Sequence, residues 1–215
     1  MARDNGYHRA DLRGELVAAG LEVVAAEGHA TLSVRTLAQK VGVSAGAPYH
    51  HFPDRRSLLL ALAQEGFRHL IGSAVSLMES DLPPVEKLIG LGESFMNFAI
   101  SRPRLLELMY ESELTRPDLD PSIREAQLMG YRALKASVAE QLPTLQATDL
   151  DIRVVTLWST LYGFASLRIK NMIQPFEPSA LTPEDVVKAV VKQAVREALT
   201  VREAGLATAG PLSAS

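Results

Sequence analysis

The chain has 215 residues, of which 47% are hydrophobic, and a formal net charge of −3. That is enough chain for a small module beside a larger core. It contains no cysteine, which excludes disulfides, thiolate nucleophiles and zinc–thiolate sites and fits a reducing cytoplasm. Residues 1–56 carry seven Lys/Arg against six Asp/Glu and the remainder fifteen against nineteen, so nucleic acid would have to be held by local contacts rather than bulk charge.

Residues 1–9 are polar and mixed in charge, with no apolar signal core. Helical periodicity governs the rest of the chain. A first helix is predicted over 10–27, with Leu12, Leu16, Ala19, Val23 and Ala26 on one stripe and Gly28 ending it. Ser33 is placed to cap a second helix and Ser44 a third. Pro48 lacks the amide that would bond back toward Ser44, so the third helix should begin as a 3₁₀ turn. Pro53-Asp54 opens a long fourth helix, 55–79, with Leu58, Leu59, Leu62, Leu70 and Leu77 turned inward. Prolines then divide the remaining residues into helices near 84–101, 103–112, 121–142, 149–172 and 183–203. The stretch 154–167 is free of charge, but it is short of the roughly 20 residues a bilayer requires and reads as a buried helix. Residues 205–215, rich in Ala, Gly, Ser and Thr, read as a disordered tail. The predicted fold is all-α, with about nine helices.

Within 32–52, two short helices meet at Val41-Gly42-Val43. Steeply crossed helices need a small residue where they touch, supplied by Ala38, and a turn residue that accepts positive φ, supplied by Gly42. This spacing is that of a helix-turn-helix, whose second helix enters the DNA major groove. Ser33-Val34-Arg35-x-Leu37-Ala38, Val41-Gly42-Val43-Ser44, Tyr49-x-x-Phe52 and Arg55 with Leu58-Leu59 together resemble the N-terminal domain of the TetR/AcrR family of bacterial regulators over about 11–62. The resemblance implies a three-helix DNA-binding domain at 9–56 and a ligand-binding and dimerisation domain at 57–204. It also implies phosphate contacts at Tyr49 and Arg55, and Ser33 and Arg35 at the start of the second helix are further candidates.

The reading helix is poor in donors. Ala45, Gly46, Ala47 and Pro48 offer no side-chain hydrogen bond, and between Ser44 and Phe52 there is no Arg, Lys, Asn or Gln to read guanine or adenine. Ala45 and Ala47 can meet thymine methyls, Gly46 lets the backbone approach, and Ser44, Tyr49, His50 and His51 carry the polar contacts. Specificity should therefore rest on methyl contacts and DNA shape. His50 and His51 point about 100° apart on a helix and do not chelate together; no metal or cofactor is expected.

In the C-terminal part, Trp158-Ser159-Thr160-Leu161-Tyr162-Gly163 resembles the W-x-x-x-H-G segment of the WHG subgroup of TetR C-terminal domains, with Tyr162 in the histidine's place. Trp158, Tyr162, Ala165, Ile169 and Met172 form one stripe and Leu157, Leu161 and Phe164 its neighbour, the pattern of a central helix packed on two sides. Phe95, Met96, Met109, Tyr110, Tyr131, Trp158, Tyr162 and Met172 are the candidate pocket for an apolar or aromatic effector. The last helix carries two apolar stripes, Val186, Val187, Val190, Val191, Ala194, Val195, Ala198 and Leu199. With 149–172 it resembles the pair that builds a four-helix homodimer interface in the family. The expectation is a cytoplasmic, ligand-responsive repressor on a pseudo-palindromic DNA operator. No convergent acid, base or nucleophile set points to an enzyme. A protein-interaction adaptor that lost DNA binding is the alternative, and repressor and activator share the same DNA-reading head.

Overall fold

The computed structural model describes residues 11–116, 118, 120–174, 178 and 180–200. Within them lie eight α-helices and two 3₁₀ turns: α1 (Leu12–Glu27), α2 (Val34–Val41), a turn at Ala47–His50, α3 (Arg55–Met78), α4 (Pro84–Ser101), α5 (Pro103–Tyr110), a turn at Glu113–Thr115, α6 (Pro121–Gln141), α7 (Ala147–Ile169) and α8 (Pro183–Leu199). The predicted tail at 205–215 and the last residues of the predicted final helix lie outside the described residues.

Prolines start α4, α5, α6 and α8, where a missing amide takes nothing from the helix and φ is already helical. α7 ends at Ile169 rather than 172 because Asn171 adopts a left-handed conformation (φ 55°). Its amide donates to the Arg168 carbonyl at 3.0 Å and the Met172 amide to Leu167 at 2.8 Å, which closes the helix.

α1, α2 and the Ala47–His50 turn form a small head, from which α3 runs into the body and packs against α4, α5 and α6. α4 packs on α7 and α8, which also pack on each other, and α6 packs on α7. The stripe α1 buries differs from the predicted one: Leu16, Gly20 and Val24 are buried, whereas Ala19 and Val23 are half-buried and Ala26 is exposed. Gly20 decides this, because a Cβ there would stand 2.9 Å from Leu62 Cδ2, so the bare backbone of α1 lies directly on α3. Leu58, Leu59 and Leu62 are fully buried, each worth about 1.5–3 kcal/mol of apolar transfer. Leu70 and Leu77, further along α3, are only half-buried.

Two arginines hold the end of α1 and its link to α2. Arg55, at the first position of α3, donates from Nε to the Leu32 carbonyl (2.8 Å) and from Nη2 to His29 (2.7 Å) and Ala30 (3.1 Å). Arg104 of α5 donates from Nη1 to the Ala25 carbonyl at 3.2 Å and also to Ala26. The open carbonyls at the C-terminal end of α1 are thereby satisfied by a cation from the body, which the helix dipole favours.

Candidate nucleic-acid interface

α2 begins where the sequence places it. Ser33 Oγ accepts the Thr36 amide at 3.1 Å, and Thr36 Oγ1 accepts the Ser33 amide at 3.1 Å, so two free donors of the first turn are satisfied. Arg35, in that turn, is exposed. At the other end Gly42 is left-handed (φ 73°). The Val43 amide donates to Ala38 at 3.0 Å and the Gly42 amide to Gln39 at 3.2 Å. This paired closure needs a residue free of Cβ strain, and Ala38 is fully buried beside it.

The predicted third helix is not an α-helix. Residues 47–50 form one 3₁₀ turn, with the Tyr49 amide on Gly46 (3.2 Å) and the His51 amide on Pro48 (3.0 Å). The Ser44 carbonyl, which residue 48 would have bonded, is taken by the Ala47 amide at 3.1 Å, so Ser44 does not cap an α-helix. Pro48 has no amide to give, and the segment tightens instead of winding on. Pro48 and Phe52 are buried and fix the turn to the head; the Arg13 guanidinium lies 5.5 Å from the Phe52 ring centre.

This leaves Ser44, Ala45, Gly46, Tyr49, His50 and His51 exposed, with Ala47 half-buried; Tyr49 shows 48% of its surface. Gly46 has φ −84° and ψ −27°, which any residue adopts, and a Cβ on it would meet no atom within 4 Å. Asp54 closes the segment by capping α3: its carboxylate accepts the Ser57 amide at 2.7 Å. That amide, together with the Ser57 hydroxyl, holds the Asp54 carboxyl below its ordinary range. Arg55 is one of four residues expected at phosphate, with Tyr49, Ser33 and Arg35; in this structure its guanidinium makes three bonds to the 29–32 carbonyls.

In the body, four of the eight candidate pocket residues come together. Phe95, Tyr110, Trp158 and Tyr162 form one ring cluster with Phe67, with neighbouring ring centres 4.8–5.9 Å apart. The Tyr162 hydroxyl donates to Glu111 at 3.2 Å, and Lys170 pairs with the same carboxylate at 3.6 Å. Burial, with Glu111 beside it, pushes the Tyr162 phenol up to about 12. Burial, with Tyr162 close by, also raises Tyr110. Met96 is fully buried, and Met109 lies against Gly66 of α3. Two candidates fall elsewhere: Tyr131 donates to Asp151 at 2.6 Å across the α6–α7 contact, and Met172 lies beyond α7, 58% exposed.

Sequence reasoning missed an open groove of about 790 Å³ between α3 and α4, lined in part by His69, Leu77, Glu93, Asn97, Phe98 and Arg102. Its mixed polar and apolar lining leaves no periodic mark. The apolar stripes of α8 are used within the chain: Val186, Val187, Val191, Ala194, Val195 and Ala198 are all buried. Exposed apolar side chains stand instead on α7, at Ile152, Val155 and Leu167. No helix among the described residues is long and apolar enough to cross a membrane, and none of their His, Asp and Glu side chains group to hold a metal.

Two domain-family models match this chain: "Bacterial regulatory proteins, tetR family" over residues 16–62 and "Tetracyclin repressor-like, C-terminal domain" over 88–194. The HTH-type transcriptional repressor KstR2 of Mycolicibacterium smegmatis is 27% identical over 116 residues, 54% of this chain and 56% of that protein. The HTH-type transcriptional activator FasR of the same species is 25% identical over 125 residues, 58% and 57% of the two chains. The chain thus spans little more than half the length of these curated relatives. A protein of unknown function from Rhodococcus sp. RHA1 has a solved structure that superposes with a TM-score of 0.75 at 27% identity, covering 90% of this chain and 98% of that one. With both models matched, and with α2 followed by the left-handed Gly42 and the 3₁₀ turn at Ala47–His50, the chain belongs to the TetR family of bacterial DNA-binding transcription regulators, which are not enzymes.

Proposed function

We propose that this regulator is a cytoplasmic repressor that binds a pseudo-palindromic operator as a homodimer and is released by a small apolar or aromatic molecule. The observation that carries the DNA half is the exposure of Ser44–Gly46 and Tyr49–His51 on a turn anchored by buried Pro48 and Phe52. Ser44, Ala45, Gly46 and Ala47 approach the base edges, and Ser33, Arg35, Tyr49, His50 and His51 reach phosphates. With no long donor on the turn, specificity comes from thymine methyls and groove shape. One such head gathers few phosphates, so two copies read half-sites about one helical turn or more apart. The exposed apolar residues of α7, with α8 beside it, supply the pairing surface.

The effector acts at the ring cluster of Phe95, Tyr110, Trp158 and Tyr162, whose aromatic faces suit an apolar or aromatic body. Effector and operator affinities then oppose each other by the same factor. The test is footprinting on the DNA upstream of the coding region, followed by selection from random duplexes. A two-fold protected site that disappears in Tyr49→Ala supports the reading. Failure to protect or select any duplex overturns it in favour of an adaptor. Transcription from the selected site, with and without the chain, separates repressor from activator.

A further inference from the structure

Arg55 stands where a cation is poorly placed for its own helix: the first turn of α3, at the positive end of the helix dipole. Its guanidinium is instead met by acceptors from another part of the chain. One nitrogen reaches Leu32 and another reaches His29 and Ala30, so three main-chain carbonyls of a link without regular structure are held by one side chain. Ser33, the next residue in the chain, caps α2 and fixes where that helix starts. The same fork therefore sets the position of Ser33 and of Arg35, in the first turn of α2. Leu32 is buried, so its side chain and its carbonyl are both fixed.

We infer that Arg55 is a positioning residue for DNA binding. It acts through the 29–32 carbonyls on the start of α2 and not by touching phosphate, and Arg35 is the cation that faces the DNA backbone. A lysine at 55 keeps the charge but offers a single donor head, which does not span carbonyls as far apart in the chain as His29 and Leu32. The two roles thus separate in measurement. A lost phosphate contact weakens binding to every sequence alike and lowers the slope of log K against log salt by about 0.9. A lost positioning contact leaves that slope alone and erodes the preference for the cognate duplex.

The inference rests on the DNA-binding function proposed for the head. Wild type, Arg55→Lys, Arg55→Gln and Arg35→Gln chains are titrated with the duplex that wild type selects and with a scrambled one, from about 50 to 200 mM salt. Arg55→Lys and Arg55→Gln should both lose about tenfold or more on the selected duplex, keep the wild-type slope, and change little on the scrambled one. Arg35→Gln should lose on both duplexes, with a lower slope. Wild-type binding by Arg55→Lys, or a lowered slope in Arg55→Gln, overturns the inference while leaving the DNA-binding function intact; a wild type that selects no duplex overturns both. Should the Arg55 variants fail to fold, the wild-type chain decides by nitrogen-15 NMR. The Arg55 Nε–H should exchange slowly and stay unshifted when the duplex is added, and a large shift on binding refutes the inference.

Discussion

Gly46 offers a clean separation between folding and DNA reading. In the free chain nothing requires a glycine there: the backbone is right-handed, and a Cβ would have no atom within 4 Å. Gly46→Ala should therefore stabilise the fold by about 0.4–1 kcal/mol, through the unfolded chain's lost freedom. At this size that raises Tm by about 1–4 °C. On DNA the sign reverses. If the turn lies with its backbone against the base edges, a methyl at its tip is an overpacked contact, which costs about 1–3 kcal/mol. That corresponds to about 5- to 150-fold weaker binding. Thermal melting of the full chain and titration of the selected duplex read the two effects separately. Binding equal to or tighter than wild type would refute the close backbone approach, and a lowered Tm would refute the claim that Gly46 is unconstrained in the free protein.

Other perturbations test the body and the caps. Gly66→Ala adds about 1 kcal/mol of helix preference, but its Cβ runs into Met109 Sδ, with Cγ at 3.1 Å and Cε at 3.3 Å. Urea melting should show a net loss of up to about 2 kcal/mol, since overpacking costs about 1–3. The double variant with Met109→Ala should lose less than the two single losses together, and plain additivity would exclude the contact. Asp54 has a lowered carboxyl pKa, so its cap contributes above the unfolded value near 3.9 and is lost as pH falls through the folded one. Asp54→Asn should match wild type at neutral pH yet give a flatter stability curve below about pH 4. Tyr162 titrates the other way: with its phenol raised to about 12, its contribution is complete below the unfolded value near 10 and disappears as pH climbs through 12. Tyr162→Phe should remove that part of the alkaline unfolding, and an unchanged alkaline limb would contradict the raised phenol pKa. Arg104→Gln removes the donors from the Ala25 and Ala26 carbonyls, and hydrogen exchange over 22–28 should quicken while exchange in α7 does not.

The head was largely legible because its determinants act within a few residues. Ser33 and Thr36 cap across one turn, Gly42 accepts the left-handed angle where α2 stops, and Pro48 withholds the amide that a third α-helix would need. The prolines at 84, 103, 121 and 183 mark helix starts for the same local reason. What escaped was long in range. The buried stripe of α1 turns on Gly20, which a count of apolar side chains passes over, because its role is to admit Leu62 from 42 residues further on. Composition put Tyr131 and Met172 in the same set as Tyr110 and Trp158. Only the packing of α4, α5 and α7, and the left-handed Asn171, sort them into ring cluster, helix contact and surface. The stripes of α8 gave the right amount of apolar surface but not its partner, since α4 and α7 of the same chain take it up.

The arginines carry the same lesson into function. Arg55 was expected at phosphate and Arg104 carried no expectation, yet the hydrogen bonds of both run to main-chain carbonyls 23–26 and 78–79 residues away. A carbonyl leaves no trace in side-chain periodicity, so neither role has a sequence pattern. Their placement also bears on how head and body are joined. α5 has only eight residues, with Arg104 near one end on α1 and Tyr110 at the other in the ring cluster. α3 enters the same head at Arg55 and contributes Phe67 to the same rings. Head and body are thus tied twice, through α3 and through α5, each bonded to the head near its start and carrying a ring of the cluster further along. Between these two ties lies the 25–32 segment, whose carbonyls at 25 and 26 bond the arginine of α5 and those at 29, 30 and 32 the arginine of α3.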